Sequence, residues 1–420
     1  MKMLLCLALL VQSGFGQVFV RQSGVPIPNL APAPMMGLQA WVYYSFHVPM
    51  TAAVAEDIAD GMVAQGLSAA GYKYVGLDGV GPAGGYVLSS PRDAYGNLML
   101  NTVGFPGGIA PLAAYVHGVG MKLGIYWVAD SSCPQNYVCP QDAAQFAAWG
   151  VDLYKFDQSS MPAAVQPPIV MAVARSLRAA NPNIVLTQGL GSPLSALHMS
   201  ATGSQSTRTG YDMSPANEPI FGSWWALMLT AFSVPAPARM MAGPNRFSDL
   251  DAMIVGEGAT DDEGHTCMSF WSMEASPLLI GADVRVAGCR SCTSYPPTLL
   301  SPASLATLTN PDVIAVDQDA RGFVALQAST TGCGGATCEV WAKWLTGIQT
   351  CAIAIFNKDS SPHDITATFA TVAGVVAGCG SGPYTTTRDL WVHASLGTLT
   401  TSYTAAAVPA HGVAMIRVAP

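Results

Sequence analysis

The segment VDLYKFD (151–157) reads as a buried strand that ends on a charged pair, Lys155 and Asp157. Two residues apart on a strand, they project to the same side, and an ammonium beside a carboxyl favours its ionised form. STRTGYDMS (206–214) adds Arg208 and Asp212, NRFSDLDAM (245–253) adds Asp249 and Asp251, and Asp78 and Asp130 close two more apolar runs. Trp41, Tyr126, Trp127 and Tyr211 are interspersed among these acids. Carboxylates and cations hydrogen-bond sugar hydroxyls, aromatic rings cover the apolar faces of sugars, and two carboxylates suffice to cleave a glycosidic bond. Any one strand-end acid alone is equally a helix cap or half of a salt bridge.

Other motifs are weaker. Gly79, Gly81 and Gly84 spell GxGxxG after a strand, but a dinucleotide site needs a helix to open there. The following GGYVLSSPRDAYGN has no helical period, so a loop above a strand is the better reading. Cys289 and Cys292 form a CxxC near Cys267. With no second CxxC and no paired histidines, the expectation is a disulfide and a spare thiol rather than zinc. The chain has no P-loop, GxSxG or HExxH.

Positioning such acids requires strands that share one rim. From residue 51 helical and strand patterns alternate. Val54, Ile58 and Met62 mark one helical face, followed by a strand at 72–79; Ile109, Leu112 and Val116 mark the next, followed by a strand at 122–130. QDAAQFAAWG leads into VDLYKFD, and PPIVMAVARSLRAAN into a strand at 183–189. Apolar strands between amphipathic helices indicate a parallel sheet, and the length favours a (β/α)8 TIM barrel, whose carboxyl-end rim is the catalytic face. Beyond residue 320 the period changes to two: EVWAKWL, CAIAIFN, ITATFATV, RDLWVH and GVAMIRV predict a C-terminal antiparallel β-sandwich without helices. The expected organisation is a signal peptide over 1–16, a catalytic domain over 17–320 and the β-sandwich domain over 321–420.

Composition narrows the function classes. Only 10% of the 420 residues are charged and the net charge is −8, with no basic run, so neither nucleic acid nor an anionic membrane is an expected partner. No apolar run after the N-terminus is long enough to span a bilayer. MKMLLCLALLVQSGFGQ has the pattern of a secretory signal cut after Gly16, and the ten cysteines fit an oxidising compartment, secreted or vacuole/lysosome-like. Cys133/Cys139, Cys333/Cys338 and Cys351/Cys379 are candidate bridges, and the nine cysteines left after cleavage leave at least one unpaired.

APMMGLQAW, GYKYVGLD, GFPGGIAPLAAYVHGVGMKLGIY, WGVDLYKFD, RTGYD, DLDAMIVG, SPLLIGADVR and NPDVIAVDQD, in that order, resemble the blocks of glycoside hydrolase family 27, the α-galactosidases and α-N-acetylgalactosaminidases. The likeness covers essentially residues 30–420. It implies a retaining glycosidase in which Asp157 is the nucleophile and Asp212 the acid/base, their carboxyls about 5–5.5 Å apart. It also implies that Arg208, Asp78 and Asp251 contact the sugar, that Trp41 and Tyr126 wall the pocket, that Lys155 keeps the nucleophile charged, and that no metal or organic cofactor is needed. Asp212 is then expected to start protonated. The chain departs from the family pattern at Gly79 and Gly189, which stand where the family has acids that hold sugar hydroxyls. It departs again at Ser159, in place of a cysteine, and in the opening block, which keeps only Trp41. Two alternatives follow: a family member acting on a pentopyranoside or 2-substituted sugar, or a silent glycan-binding protein. Gln188, Asp130 and the 79–86 loop are candidates for the missing hydroxyl contacts.

Overall fold

The computed structural model describes residues 29–420 except 79–83, 131–132, 134–136, 160, 163–164, 190–201, 235 and 334–335. The proposed signal segment and most of the GxGxxG stretch therefore lie outside the described residues.

Eight parallel strands build the first region: β1 (Met36–Gln39), β2 (Tyr74–Leu77), β3 (Lys122–Val128), β4 (Leu153–Asp157), β5 (Val185–Gln188), β6 (Ser206–Arg208), β7 (Phe247–Asp249) and β8 (Leu278–Ile280). Their order is β8-β1-β2-β3-β4-β5-β6-β7. The ring closes where Met253, just past β7, makes a parallel bridge to Ile280, with its amide donating to Leu279 O at 2.7 Å. This is the TIM barrel.

The helices form where the spacing predicts them. Ala52–Ala64 starts at Thr51, whose hydroxyl accepts the Val54 amide at 3.2 Å. Val54, Ile58 and Met62 are fully buried on its inner face, each contributing about 1.5–3 kcal/mol of burial. A charge at Ile58 would expose that face and detach the helix. Pro140–Trp149 and Gln166–Ala180 follow the same logic on either side of β4. In place of a nucleotide-binding helix after β2, Val87–Arg92 pairs antiparallel with Leu98–Leu100.

The C-terminal region contains β9 (Leu326–Cys333), β10 (Ala336–Trp344), β11 (Cys351–Asn357), β12 (His363–Thr368), β13 (Thr386–Asp389), β14 (Ser402–Val408) and β15 (Val413–Ala419). An antiparallel sheet of order β9-β10-β11-β15-β13 packs with the pair β12–β14. Two expectations fail here. In RDLWVH only Arg388 and Asp389 belong to a strand, and Leu390, Trp391 and Val392 turn away from it. ITATFATV is not one strand. Its second half is a helix, Phe369–Val375, which buries Phe369 and Val372 one turn apart. Its β-branched residues disguise that period.

The seam between the regions is built on helix Asp261–Met273, opened by a Thr260/Glu263 capping box. Its Phe270 stacks on Phe232 with ring centroids 3.7 Å apart and meets Trp341 and Phe356 of the C-terminal sheet edge-on. One apolar cluster thus runs from barrel to sheet. Four disulfides link Cys133–Cys139, Cys289–Cys292, Cys333–Cys338 and Cys351–Cys379. Cys267 is free and fully buried, its thiol pushed up to about 12 by desolvation. The CxxC is a disulfide, as its isolation suggests.

Candidate active site

Strand β4 splits its side chains by parity. Tyr154 packs on Phe146 of the preceding helix, centroids 4.8 Å apart, while Phe156 is buried beside it. Lys155 and Asp157 take the opposite, axial side. Both Asp157 oxygens are held: Oδ1 accepts the Ser159 amide at 2.7 Å and Oδ2 accepts Tyr126 Oη at 3.0 Å. Tyr126 stands opposite Lys155 in register, and the Lys155 ammonium lies 5.2 Å from its ring centroid. The direct partners of Asp157 are thus a phenol and a backbone amide. Lys155 acts on the acids through its field, opposing ionisation loss at Asp78, Asp212, Asp249 and Asp251.

Arg208, on β6, is almost completely buried. Its Nη2 donates to Asp212 Oδ1 at 2.7 Å and its Nη1 pairs with Asp251 Oδ1 at 2.8 Å. Asp251 has φ +81°, a left-handed backbone that a non-glycine residue adopts at a cost. That conformation is fastened on three sides. Met213 N donates to its Oδ2 at 2.7 Å, its own amide donates to Asp249 Oδ1 at 2.8 Å, and Trp271 Nε1 donates to its carbonyl at 2.7 Å. Asn217 Nδ2 fixes the Asp212 carbonyl at 3.0 Å.

The site holds more carboxyls than cations, and burial decides which ionise. Desolvation raises Asp78 to about 7 against the pull of Lys155, and Asp249 to about 6 against that of Arg208. Asp251 is also raised by burial, opposed by Arg208. Asp212 goes the other way: burial pushes it up, but the Arg208 and Lys155 charges outweigh this and hold it below the usual carboxylate range. In the open site Asp212 is therefore ionised, contrary to the expectation that it starts protonated; the ion pair with Arg208 is the reason.

The strand-end acids do not all converge. Asp130 is drawn off by Arg92 of the hairpin, whose Nε donates to it at 2.6 Å while its two Nη atoms grip Asp142. Gln188 faces away from the axis. It accepts from Gln158 Nε2 at 2.9 Å and donates to Thr207 Oγ1 at 2.8 Å and Thr202 Oγ1 at 3.0 Å. Neither has the freedom to serve as a hydroxyl contact. Gly189 has a steric reason: a Cβ there would lie 2.8 Å from the Asp157 Cα, so with β4 and β5 in this approach no side chain fits. Trp41, just past β1, packs edge-on to Phe46 at 5.2 Å and leaves its buried Nε1 without a partner.

Beneath the acids a cavity of about 50 Å³ runs along the barrel axis, lined by Gln39, Asp78, Tyr126, Lys155, Thr187 and Asp249 among others. Gln39, Thr187 and Ser206 were not expected in the site. Gln39 is the last residue of β1, and as a single polar residue in an apolar strand it gave no sequence signal. Among the described residues no group of three or more His, Cys, Asp or Glu side chains is arranged to hold a metal ion.

The chain matches known proteins along nearly its whole length. Residues 48–319 match the family model for alpha galactosidase A, and residues 335–418 that for the alpha galactosidase C-terminal beta sandwich domain. The chain belongs to the α-galactosidase (melibiase) family, glycoside hydrolase family 27. It is 31% identical to an alpha-galactosidase of Coffea arabica over 93% of this chain and 95% of that one. The structure of alpha-galactosidase I from Mortierella vinacea superposes with a TM-score of 0.74 at 24% identity, covering 93% and 97% of the two chains. A family-27 β-L-arabinopyranosidase of Geobacillus stearothermophilus shares the fold, with a TM-score of 0.72 at 19% identity over 93% and 98%. This family member is a glycoside hydrolase with a carbohydrate substrate. Among the described residues no helix is long and apolar enough to cross a membrane.

Proposed function

We propose that this glycosidase is secreted and removes terminal α-linked galactose, or a closely related sugar, by double displacement with retention. The observation that carries the reading is the pair of differently prepared carboxyls on one rim. Asp157 is held by Tyr126 and Ser159 with its charge facing the axis, and Asp212 is held on Arg208. The Asp157 carboxylate attacks the anomeric carbon as the glycosidic C–O bond breaks and Asp212 gives its proton to the leaving oxygen. Asp212 then takes a proton from water, which attacks the anomeric carbon and breaks the ester, restoring Asp157.

Because Arg208 keeps Asp212 ionised when the site is open, the first step needs a proton loaded as the sugar displaces solvent. Desolvation by the substrate acts in that direction. Activity therefore rises as pH falls below neutral. Asp78, Arg208 and Asp251 are assigned to sugar hydroxyls, Trp41 and Tyr126 to the pocket wall, and Lys155 to the field that favours the charged nucleophile. The four disulfides support an oxidising destination.

A second reading changes only the sugar. Gly189 leaves no room for an acid at the position the family uses for the 2-substituent, which favours a pyranose with different substituents. A panel of nitrophenyl glycosides separates the two by which sugar's glycoside releases nitrophenol. The mechanism is tested by trapping with a 2-fluoro sugar and mapping the adduct; a label on a residue other than Asp157, or an inverted first product, refutes it.

A further inference from the structure

Two of the three earlier candidates for the missing hydroxyl contacts are engaged elsewhere. Asp130 is bound to Arg92, Gln188 is saturated on the outer side of the barrel, and the 79–83 part of the loop lies outside the described residues. Among the described residues lining the axial cavity, Gln39 is the side chain with both a donor and an acceptor group left free. Gln39 is 6% exposed, and among the described residues neither its Oε1 nor its Nε2 has a hydrogen-bond partner. It lines the same cavity as Asp78, Tyr126 and Lys155, and Asp78 Oδ1 and Ser206 Oγ there are likewise buried and unpartnered.

Leaving a buried amide unpaired costs about 1–3 kcal/mol, so its retention needs a partner the protein does not supply. The backbone prepares the position. Gln39 sits opposite Gly76 in register, and with no side chain at Gly76 the amide has room on the axis. Gln39 is the last residue of its strand, two residues before Trp41, the proposed pocket wall.

We infer that Gln39 is a specificity residue whose side-chain amide hydrogen-bonds a ring hydroxyl of the bound sugar, standing in for contacts that Gly79 and Gly189 do not make. An amide both donates and accepts, so it selects a neutral hydroxyl and, unlike an acid, needs no defined protonation state. The inference rests on the proposed sugar site but not on which sugar occupies it.

The test is a substitution crossed with substrate truncation. Gln39→Leu keeps the volume and removes both polar atoms. On a nitrophenyl α-galactoside, kcat/KM should fall roughly tenfold. The same fall should appear on the monodeoxy analogues except one, for which wild type and variant coincide because the hydroxyl that Gln39 serves is absent. An equal loss on every analogue, or no loss on the parent at an unchanged Tm, overturns the inference and leaves the amide to buried water. If Gln39→Leu does not fold, Gln39→Asn retracts the amide by one methylene and is read against the same panel. If wild type cleaves no galactoside, the galactose reading fails by itself, and the crossed series is run on the glycoside that is cleaved.

Discussion

The barrel mouth and the seam with the C-terminal sheets both bury charge, but with opposite balance. At the mouth, among the described residues, Asp78, Asp157, Asp212, Asp249 and Asp251 face the two cations Lys155 and Arg208. At the seam Arg239 pairs with Glu274 at 2.6 Å and lies 4.9 Å from the Trp341 ring centroid, while Lys343 donates to Ser272 O at 2.8 Å and feels the Asp317 charge. Acids and cations come in pairs at the seam, whereas acids outnumber cations at the mouth; burial raises carboxyls in both, Asp78 to about 7 and Asp249 to about 6 at the mouth and Asp317 to about 8 beside Lys343 at the seam. A matched buried pair is a structural fixture whose removal costs stability; an unmatched cluster stores a proton that chemistry can use.

The comparison breaks most visibly at Asp157. Asp157→Asn should abolish the nucleophile and lower kcat by at least about a thousandfold, a loss of more than ~4 kcal/mol in the barrier. It should not lower Tm, because it removes one of the surplus acids. A Tm drop with most of kcat retained would place Asp157 among the structural acids. The reciprocal experiment is Arg239→Met. It strands Glu274, which is fully buried, at a cost of about 3–5 kcal/mol. Chemical unfolding should show that loss, while kcat of the folded fraction at low temperature stays within about twofold of wild type. Between these lies Tyr126→Phe, which removes one hydrogen bond to Asp157 Oδ2. Hydrogen bonds to charged groups contribute about 1.5–3 kcal/mol, so kcat should fall roughly tenfold or more.

How far these residues were visible beforehand depends on the range of the interactions that place them. The strand ending in Lys155 and Asp157, and the spacing of Arg208 and Asp212, are local, and the barrel rhythm around them comes from apolar periods within single segments. The diversion of Asp130 was not visible, because its partner Arg92 belongs to a hairpin with no apolar period to announce it. Gly189 looked like a lost acid until the approach of β4 and β5 showed that no Cβ fits. The charge state of Asp212 could not be read from spacing: Arg208 is four residues away in either reading, and only the 2.7 Å contact settles the sign. Gln39 was missed because a lone polar residue in an apolar strand carries no pattern of its own.

The smallest effect sharpens the contrast through stability rather than rate. Asp78 has a folded-state pKa of about 7, raised by burial from the ordinary carboxylate value. A carboxyl whose pKa is raised on folding binds more protons in the native than in the unfolded chain between those two values. Its contribution to stability is therefore present at low pH and is lost as pH rises toward 7, flattening above it. Asp249, at about 6, has the same sign over a narrower window. Tm should accordingly rise by a few degrees on acidification from pH 7.5 to pH 5, and Asp78→Asn should remove part of that rise while leaving the Asp249 share. If Asp78→Asn leaves the slope intact, the pH dependence originates elsewhere, with the Asp317–Lys343 pair at the seam as the first place to look.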